Sequence, residues 1–224
     1  MPLTVVSFAT YLSAVGTAWR DQDWDTYKFI KAIKGQPFKY SARIPVVGTL
    51  RYLDMGNADN ALGWFAEMTY QYLWEKQTPG PLVLVPLPNS SCALGTNNIP
   101  RTFFQAQALA QRLNNTTVLD CLRWKEAKAS ASGGGGSRHP QILYNNLAAT
   151  TPVPQGTRLI IIDDVRTSGG HLKAARAMLL AHNGCCDLAI CAGRTVKNQD
   201  QEPFSRLEEE IDDWWPMPSF FSSP

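Results

Sequence analysis

The stretch that decides the fold is Leu159-Ile160-Ile161-Ile162-Asp163-Asp164-Val165-Arg166-Thr167-Ser168-Gly169-Gly170-His171. It begins as an unbroken apolar run, as expected for a strand that is buried on both faces of a parallel sheet. Two carboxylates follow at the carboxyl end of that strand, where open α/β sheets bind ligands. A turn of small residues and the start of a helix come next, and such a turn lets backbone N–H groups approach an anion. The stretch therefore predicts a site in which carboxylates meet hydroxyl groups and the turn meets a phosphate.

Other interpretations of this stretch explain less of it. Paired acids at a strand end also occur in phosphorylation receivers and in metal sites, but a receiver carries its acids after the first strand, and these lie beyond residue 160. An N-capped helix after a core strand explains Thr167 and Ser168. It leaves the double acid and the double glycine unexplained, so we favour the ligand-binding hypothesis.

The segments around this stretch alternate between strand and helix patterns. Apolar runs predict strands at residues 82–85, 116–121, 158–162 and 185–192. Helical spacing predicts helices from about residue 100 to 113 and from 170 to 182, the second ended by Asn183-Gly184. This alternation predicts an α/β fold with an open, mainly parallel sheet flanked by helices.

The two ends of the chain differ from this core. Asp23 can cap a helix from Trp24 to Lys34, and a second helix is predicted from Asn60 to Lys76. We expect a helical N-terminal segment over residues 1–79, a core over residues 80–196, and an acidic and aromatic tail or variable hood over residues 197–224. In the tail we expect an acidic helix face or helix terminus, formed by Glu208, Glu209, Glu210, Asp212 and Asp213. Its aromatic residues stack on a flat base, anchor the tail to the core or mediate self-association: Trp214, Trp215, Phe220 and Phe221.

Composition excludes several classes of protein. Hydrophobic residues make up 44% and charged residues 18% of the 224, which is typical of a globular chain. A net charge of +2 is too weak a bias for a nucleic-acid surface. No apolar run approaches the length of a membrane span. The five cysteines have no metal-ligand spacing, and we expect a cytoplasmic protein with free thiols.

The stretch IIIDDVRTSGG resembles the ribose-phosphate signature of the type I phosphoribosyltransferases, and the similarity covers roughly residues 80 to 195. The resemblance implies that Asp163 and Asp164 hold the ribose hydroxyls of phosphoribosyl pyrophosphate as the catalytic acids, and contact Mg²⁺ only through the bound substrate. It also implies a set of residues around the 5-phosphate: Arg166, Thr167, Ser168, Gly169, Gly170 and His171. Arg166 stands where the family usually has an apolar residue, and His171 where it has Thr or Ser.

A weaker likeness connects the chain to the ComF-like branch of this family. The features that carry it are Val85-Pro86-Leu87-Pro88 and the helix start Arg101-Thr102-Phe103-Phe104-Gln105, in which Phe104 replaces an Asn. Ordinary amphipathic packing explains that helix equally well. By position, the resemblance implies a loop that meets the pyrophosphate: Pro88, Asn89, Ser90 and Ser91.

Residues 124–141 are predicted to be a mobile, glycine-rich loop. The resemblance implies that this loop closes over the site and that its basic residues reach the leaving pyrophosphate. Gly133 to Ser137 also has the composition of an engineered linker, and both origins stay open. The basic residues in question are Lys125, Lys128 and Arg138, with His139 beside them.

The resemblance implies an enzyme, a phosphoribosyltransferase that uses Mg²⁺ as its cofactor. Its partners would be phosphoribosyl pyrophosphate and a nitrogenous base or nucleoside monophosphate, with no membrane or nucleic acid. Enzymes of this family that act on 6-oxopurines usually have an acid at the place of Thr167, so hypoxanthine and guanine are less favoured acceptors. The alternative is a non-catalytic regulator or scaffold that binds the same ligand, and a homodimer stays open.

Overall fold

The structure is a computed structural model, and it describes residues 2–13, 18–78, 80–127 and 137–217. The helices are α1 (Asp21–Ile33), α2 (Asn60–Glu75), α3 (Arg101–Ala110), α4 (Pro140–Asn145) and α5 (Gly170–Ala181). The first five strands are β1 (Leu3–Leu12), β2 (Ala42–Val46), β3 (Thr49–Leu53), β4 (Leu82–Pro86) and β5 (Thr116–Val118). The others are β6 (Leu122–Trp124), β7 (Leu147–Ala149), β8 (Arg158–Arg166), β9 (Cys185–Val196) and β10 (Leu207–Ile211).

Six of these strands form one sheet in the order β10-β1-β9-β8-β4-β5. Strands β1, β9, β8, β4 and β5 are mutually parallel, and β10 is antiparallel at one edge. Strands β2 and β3 form a separate antiparallel hairpin, as do β6 and β7. The predicted class, an open and mainly parallel α/β sheet flanked by helices, is confirmed.

Two apolar layers cover the two faces of the sheet. One layer contains Ile160 and Ile162 of β8 together with residues of α1, α2 and α3. The other contains Leu159 and Ile161 with residues of α4 and α5. Burial of β8 on both faces explains why its sequence is continuously apolar. It also means that the polar end of this strand, after Ile162, leaves the core at a single edge of the sheet.

The prediction of a helical N-terminal segment was only partly right. Helix α2 lies where it was predicted, but β1 is an almost fully buried strand of the main sheet, and β2 and β3 form the hairpin. The partner of β1 is β9, near the other end of the chain, so no local pattern reveals the pairing. Helix α1 begins at Asp21, and Asp23 lies in its first turn, where its carboxylate accepts a hydrogen bond from the Arg20 N–H at 2.9 Å.

The prediction of an acidic helix face in the tail was wrong. Residues 207–211 form β10, which pairs with β1 along its length. Alternate side chains of β10 are more and less exposed, so the acidic residues sit on an edge strand, where charge discourages pairing with other chains. Beyond β10, Trp214 packs against Tyr144 at 6.0 Å between ring centroids. Phe220 and Phe221 lie outside the described residues.

Two segments near the site also differ from their prediction. Strand β8 continues to Arg166, so both acids lie within the strand and not after it. Part of the stretch predicted to be mobile is ordered, because β6 ends at Trp124 and α4 begins at Pro140.

None of the helices in the described parts of the chain is long and apolar enough to cross a membrane.

Candidate active site

Asp163 and Asp164 lie at the carboxyl edge of the sheet, near the end of β8. The Asp164 N–H donates to Oδ1 of Asp163 at 2.8 Å. This hydrogen bond fixes the orientation of the Asp163 carboxylate relative to the backbone of its neighbour. The Leu87 N–H, just after β4, donates to the Ile162 carbonyl at 3.0 Å. The loop that follows β4 therefore starts directly beside the acid pair.

The two acids have different electrostatic environments. Burial, and next the negative charge of Asp164, raise the pKa of Asp163 to about 8, against the weaker influence of Lys34 and Arg101. Asp164 is paired with Arg101, the first residue of α3, at 3.3 Å. Near neutral pH the pair therefore retains one proton, and it can both donate hydrogen bonds to hydroxyl groups and accept them.

The turn between β8 and α5 is shaped by its two glycines. Gly169 has φ +77°, a conformation that favours glycine, and caps α5. The N–H groups of Thr167, Ser168 and Gly169 have no hydrogen-bond partner within the described residues. Together with the N-terminus of α5, they form a set of donors suited to an anion.

Gly170 has a different role, because a neighbouring backbone lies against it. A Cβ at Gly170 would lie 2.0 Å from the carbonyl oxygen of Arg138. At Gly169 the nearest atom would be Cδ1 of Ile211, at an ordinary 3.5 Å. Gly169 is therefore needed for its conformation, and Gly170 for the space that it leaves to the segment before α4.

The other two residues predicted to surround the phosphate have protein partners. Arg166 forms an ion pair with Glu209 of β10, while its Nε is buried without a hydrogen-bond partner in the described residues. The ring of His171 packs edge to face on Trp124, with centroids 5.8 Å apart. Both lie at the turn, and their role in phosphate binding stays a prediction.

The loop predicted to meet pyrophosphate is a compact turn held by internal bonds. The Asn89 side chain donates to Oγ of Ser91 at 2.7 Å and accepts from the Cys92 thiol at 3.0 Å. The hydroxyl of Thr102, in α3, donates to the Leu87 carbonyl at 2.7 Å. The loop is therefore anchored at the same edge of the sheet as the acid pair.

The basic residues predicted for the flexible loop are in three different situations. Lys125 donates from Nζ to the Asn145 carbonyl at 2.8 Å, and this contact ties it to the end of α4. Arg138 lies with its carbonyl against Gly170. Lys128 and residues 129–136 lie outside the described residues, so the predicted closure stays a prediction.

Sequence patterns missed a cluster of aromatic residues around the carboxyl end of β1. Tyr11, at the end of β1, stacks on Tyr27 of α1 with centroids 5.8 Å apart and planes at 20°. Tyr11 lies at the carboxyl end of β1, which is parallel to β9 and β8, and burial, then Tyr27 and Asp164, raise the pKa of its hydroxyl. We call the following four residues the aromatic cluster: Tyr11, Trp19, Trp24 and Tyr27. The aromatic spacing in α1 was a signal, but β1 had not been recognised as a strand.

The donor set at the site suits Mg²⁺ only as an ion shared with a ligand. Among the described residues, no group of three or more His, Cys, Asp or Glu side chains is placed to hold a metal ion. Two adjacent carboxylates are hard oxygen donors, and Mg²⁺ is often held by one or two carboxylates together with substrate phosphates. The site therefore fits an ion bound mainly through substrate oxygens.

Comparisons with known proteins give only distant structural similarity. No protein-family model matches the chain, and no curated protein matches it in sequence. Among solved structures, adenine phosphoribosyltransferase from Saccharomyces cerevisiae, complexed with adenine and an imino-altritol bisphosphate, is 14% identical, with 74% of this chain and 88% of that chain covered and a TM-score of 0.40.

Two further solved structures are similar to the chain at the same level. Adenine phosphoribosyltransferase from Thermoanaerobacter pseudethanolicus is 19% identical, covering 74% of this chain and 87% of that one, with a TM-score of 0.40. A hypoxanthine phosphoribosyltransferase from Staphylococcus aureus is 11% identical, covering 62% and 74%, with a TM-score of 0.37. With TM-scores below 0.5, these similarities decide neither the fold nor the function of the chain.

Proposed function

We propose that the protein transfers ribose 5-phosphate from phosphoribosyl pyrophosphate to a nitrogen acceptor and releases pyrophosphate. The observation that carries the proposal is the arrangement at the carboxyl edge of the sheet. Asp163 and Asp164 lie there between two loops, and each loop presents backbone N–H groups without partners in the described residues. The two acids can hold vicinal hydroxyls, and the N–H groups of each loop can hold a phosphate group. A ligand with vicinal hydroxyls between two phosphate groups therefore matches the site.

The acid pair suits the ribose. Because burial raises the pKa of Asp163, the pair carries one negative charge and one proton near neutral pH. It can therefore hold both the 2- and 3-hydroxyls, one as a donor and one as an acceptor. Arg101, paired with Asp164, has a buried Nε without a partner in the described part of the chain. This unused donor favours an anionic ligand beside the pair.

In the proposed reaction, a nitrogen lone pair attacks the anomeric carbon of the ribose. The C–N bond forms as the bond between that carbon and the pyrophosphate oxygen breaks; the electron pair leaves with pyrophosphate, and the acceptor nitrogen releases its proton to solvent. When bound, Mg²⁺ would supply positive charge on the pyrophosphate oxygens. The turn after β8 and the loop after β4 would hold the two ends of the substrate, so that the reacting atoms are aligned.

The aromatic cluster supports a planar base as the acceptor. Tyr11 lies at the carboxyl edge of the sheet, as the acids do, on the side of the sheet that α1 covers. Flat heteroaromatic rings stack favourably on tyrosine and tryptophan faces. The aromatic residues of the tail are the other surface on which a base could stack. That part of the tail is used for packing, because Trp214 contacts Tyr144 and Asp213 pairs with Arg176. We therefore assign the base to the side of Tyr11.

The deciding experiment measures binding and turnover separately. Thermal shifts are recorded with phosphoribosyl pyrophosphate, with and without Mg²⁺, and with nucleoside monophosphates, because a ligand that binds only the folded state raises its stability. Release of pyrophosphate is then measured with a panel of free bases. Binding with turnover supports the transferase. Binding without turnover on any base would leave a non-catalytic binding protein, and the absence of binding would refute the site itself.

A further inference from the structure

Trp124 contacts both loops that flank the acid pair, and the proposed reaction gives this residue no role. Its side chain is fully buried at the end of β6. Its indole N–H lies 3.1 Å from the Pro88 carbonyl oxygen and 3.1 Å from the Asn89 carbonyl oxygen. A single donor is thus shared between two consecutive carbonyls of the loop after β4.

This shared bond, together with the Cys92 N–H that donates to the Asn89 carbonyl at 2.9 Å, determines which way the loop amides face. In a trans peptide the N–H points opposite to the C=O of the same unit, and there is no cis peptide among the described residues. With both carbonyls turned toward the buried indole, the N–H groups of Asn89 and Ser90 point away from the core. Neither N–H has a hydrogen-bond partner in the described parts of the chain. Two adjacent N–H groups that face the same side form a small concave site for an anion.

The backbone of Trp124 holds the far end of the same loop. Its N–H donates to the Cys92 carbonyl at 2.9 Å, and its carbonyl accepts from the Leu94 N–H at 2.8 Å. The indole ring also supports the other loop, because the edge-to-face contact with His171 is at 5.8 Å and 73°. One buried side chain therefore contacts both loops that flank the acid pair.

We propose that Trp124 is a positioning residue for the pyrophosphate group, a role that rests on the proposed function. Its indole N–H keeps the Pro88 and Asn89 carbonyls turned inward, and this leaves the N–H groups of Asn89 and Ser90 to bind a phosphate oxygen. Trp124 itself does not touch the ligand. Loss of the indole N–H should therefore weaken binding of pyrophosphate and leave the separate site for the 5-phosphate intact.

The test compares two ligands that each occupy one half of the site. Calorimetry measures the affinity for inorganic pyrophosphate with Mg²⁺ and for ribose 5-phosphate. Trp124→Phe removes the N–H, and replacement of Trp124 by benzothienylalanine removes it while keeping the shape of the ring. Trp74→Phe, at a side chain that is 54% exposed on α2, is the matched control. We expect about a tenfold weaker affinity for pyrophosphate in both Trp124 variants, as the loss of an oriented hydrogen bond implies, and unchanged affinity for ribose 5-phosphate.

Amide chemical shifts provide a second measurement, independent of affinity. In the unaltered protein, pyrophosphate should shift the N–H resonances of Asn89 and Ser90, and these shifts should shrink in the benzothienylalanine variant. Equal losses for both ligands, or unchanged pyrophosphate binding in that variant, would overturn the role of Trp124. If Trp124→Phe fails to fold, the isosteric variant decides. If the unaltered protein binds neither ligand, the proposed function itself fails.

Discussion

The two loops beside the acid pair offer the same kind of donor but are built differently. The turn at residues 167–171 obtains its N–H groups from its own sequence, through Gly169 at φ +77° and the start of α5. The loop at residues 87–91 depends mainly on distant residues, because Thr102 holds the Leu87 carbonyl and Trp124 holds the Pro88 and Asn89 carbonyls, the last together with the Cys92 N–H. An anion site can thus be encoded locally or assembled from several elements, and only the local kind is visible in a sequence.

The largest expected effect is at the acid pair, which both loops share. Asp163→Asn combined with Asp164→Asn should weaken Mg²⁺-linked binding of phosphoribosyl pyrophosphate by about 100-fold, because charged hydrogen bonds to two hydroxyls are lost. Calorimetry measures this affinity. Asp187→Asn is the control, since Asp187 pairs with Arg158 at the opposite end of β8, at 3.1 Å. Unchanged affinity in the double variant would remove the acids from the site.

The next effect tests the local encoding of the turn. In Gly170→Ala, the new Cβ meets the Arg138 carbonyl at 2.0 Å, so backbone must move. We expect a loss of about 1–3 kcal/mol in the free energy of unfolding, as for other overpacked sites, and weaker binding of ribose 5-phosphate. Denaturant unfolding and calorimetry measure the two quantities. Gly63→Ala, in α2, where the new Cβ meets no atom within 4 Å, is the control.

Gly169→Ala separates conformation from space in that turn. The left-handed backbone costs an alanine about 1 kcal/mol relative to glycine, while the nearest atom to the new Cβ is at 3.5 Å. The loss of stability should therefore be smaller than for Gly170→Ala. If Gly169→Ala lowered the free energy of unfolding more than Gly170→Ala, the contact with the Arg138 backbone would not be the reason that residue 170 is a glycine.

The pH dependence of the free energy of unfolding tests the acid pair, which lies between the two loops. Burial and Asp164 raise the pKa of Asp163 from its ordinary value of 3.8 to about 8, so the folded state binds a proton that the unfolded state releases. The contribution of this group to stability is fully present below its unfolded pKa and is lost as the pH rises through the folded pKa. Unfolding free energy should therefore fall between pH 4 and 8 by an amount that Asp163→Asn removes. A fall of the same size in that variant would assign the titration to another group.

The smallest expected effect tests the assembled loop at its first anchor. Thr102→Val removes a buried hydroxyl that donates to the Leu87 carbonyl at 2.7 Å. We expect a loss of about 1 kcal/mol in the free energy of unfolding, with weaker binding of inorganic pyrophosphate and unchanged binding of ribose 5-phosphate. Thr102→Ser keeps the hydroxyl and is the control. If Thr102→Ser lowered both quantities and Thr102→Val left them unchanged, the methyl group, not the hydrogen bond, would matter at this position.

How far the sequence predicts the structure depends on how far apart the interacting residues lie. The β8 strand, the acids and the start of α5 are consecutive, and their pattern predicted the fold class and the place of the candidate site. The N-terminal strand β1 and the edge strand β10 were missed. Each pairs with a segment from the other end of the chain, and sheet pairing leaves no local periodicity that names the partner.

The sequence by itself determined an open α/β sheet and placed Asp163, Asp164 and a glycine turn at its carboxyl edge, because these features depend on neighbouring residues. Tertiary structure decided that Arg101 pairs with Asp164, that Tyr11 stacks on Tyr27, and that the Trp124 indole contacts the loop after β4. The physical reason is that a hydrogen bond or ion pair acts over about 3 Å in space. Residues far apart in the chain reach that distance only when the strands that carry them are packed in one sheet.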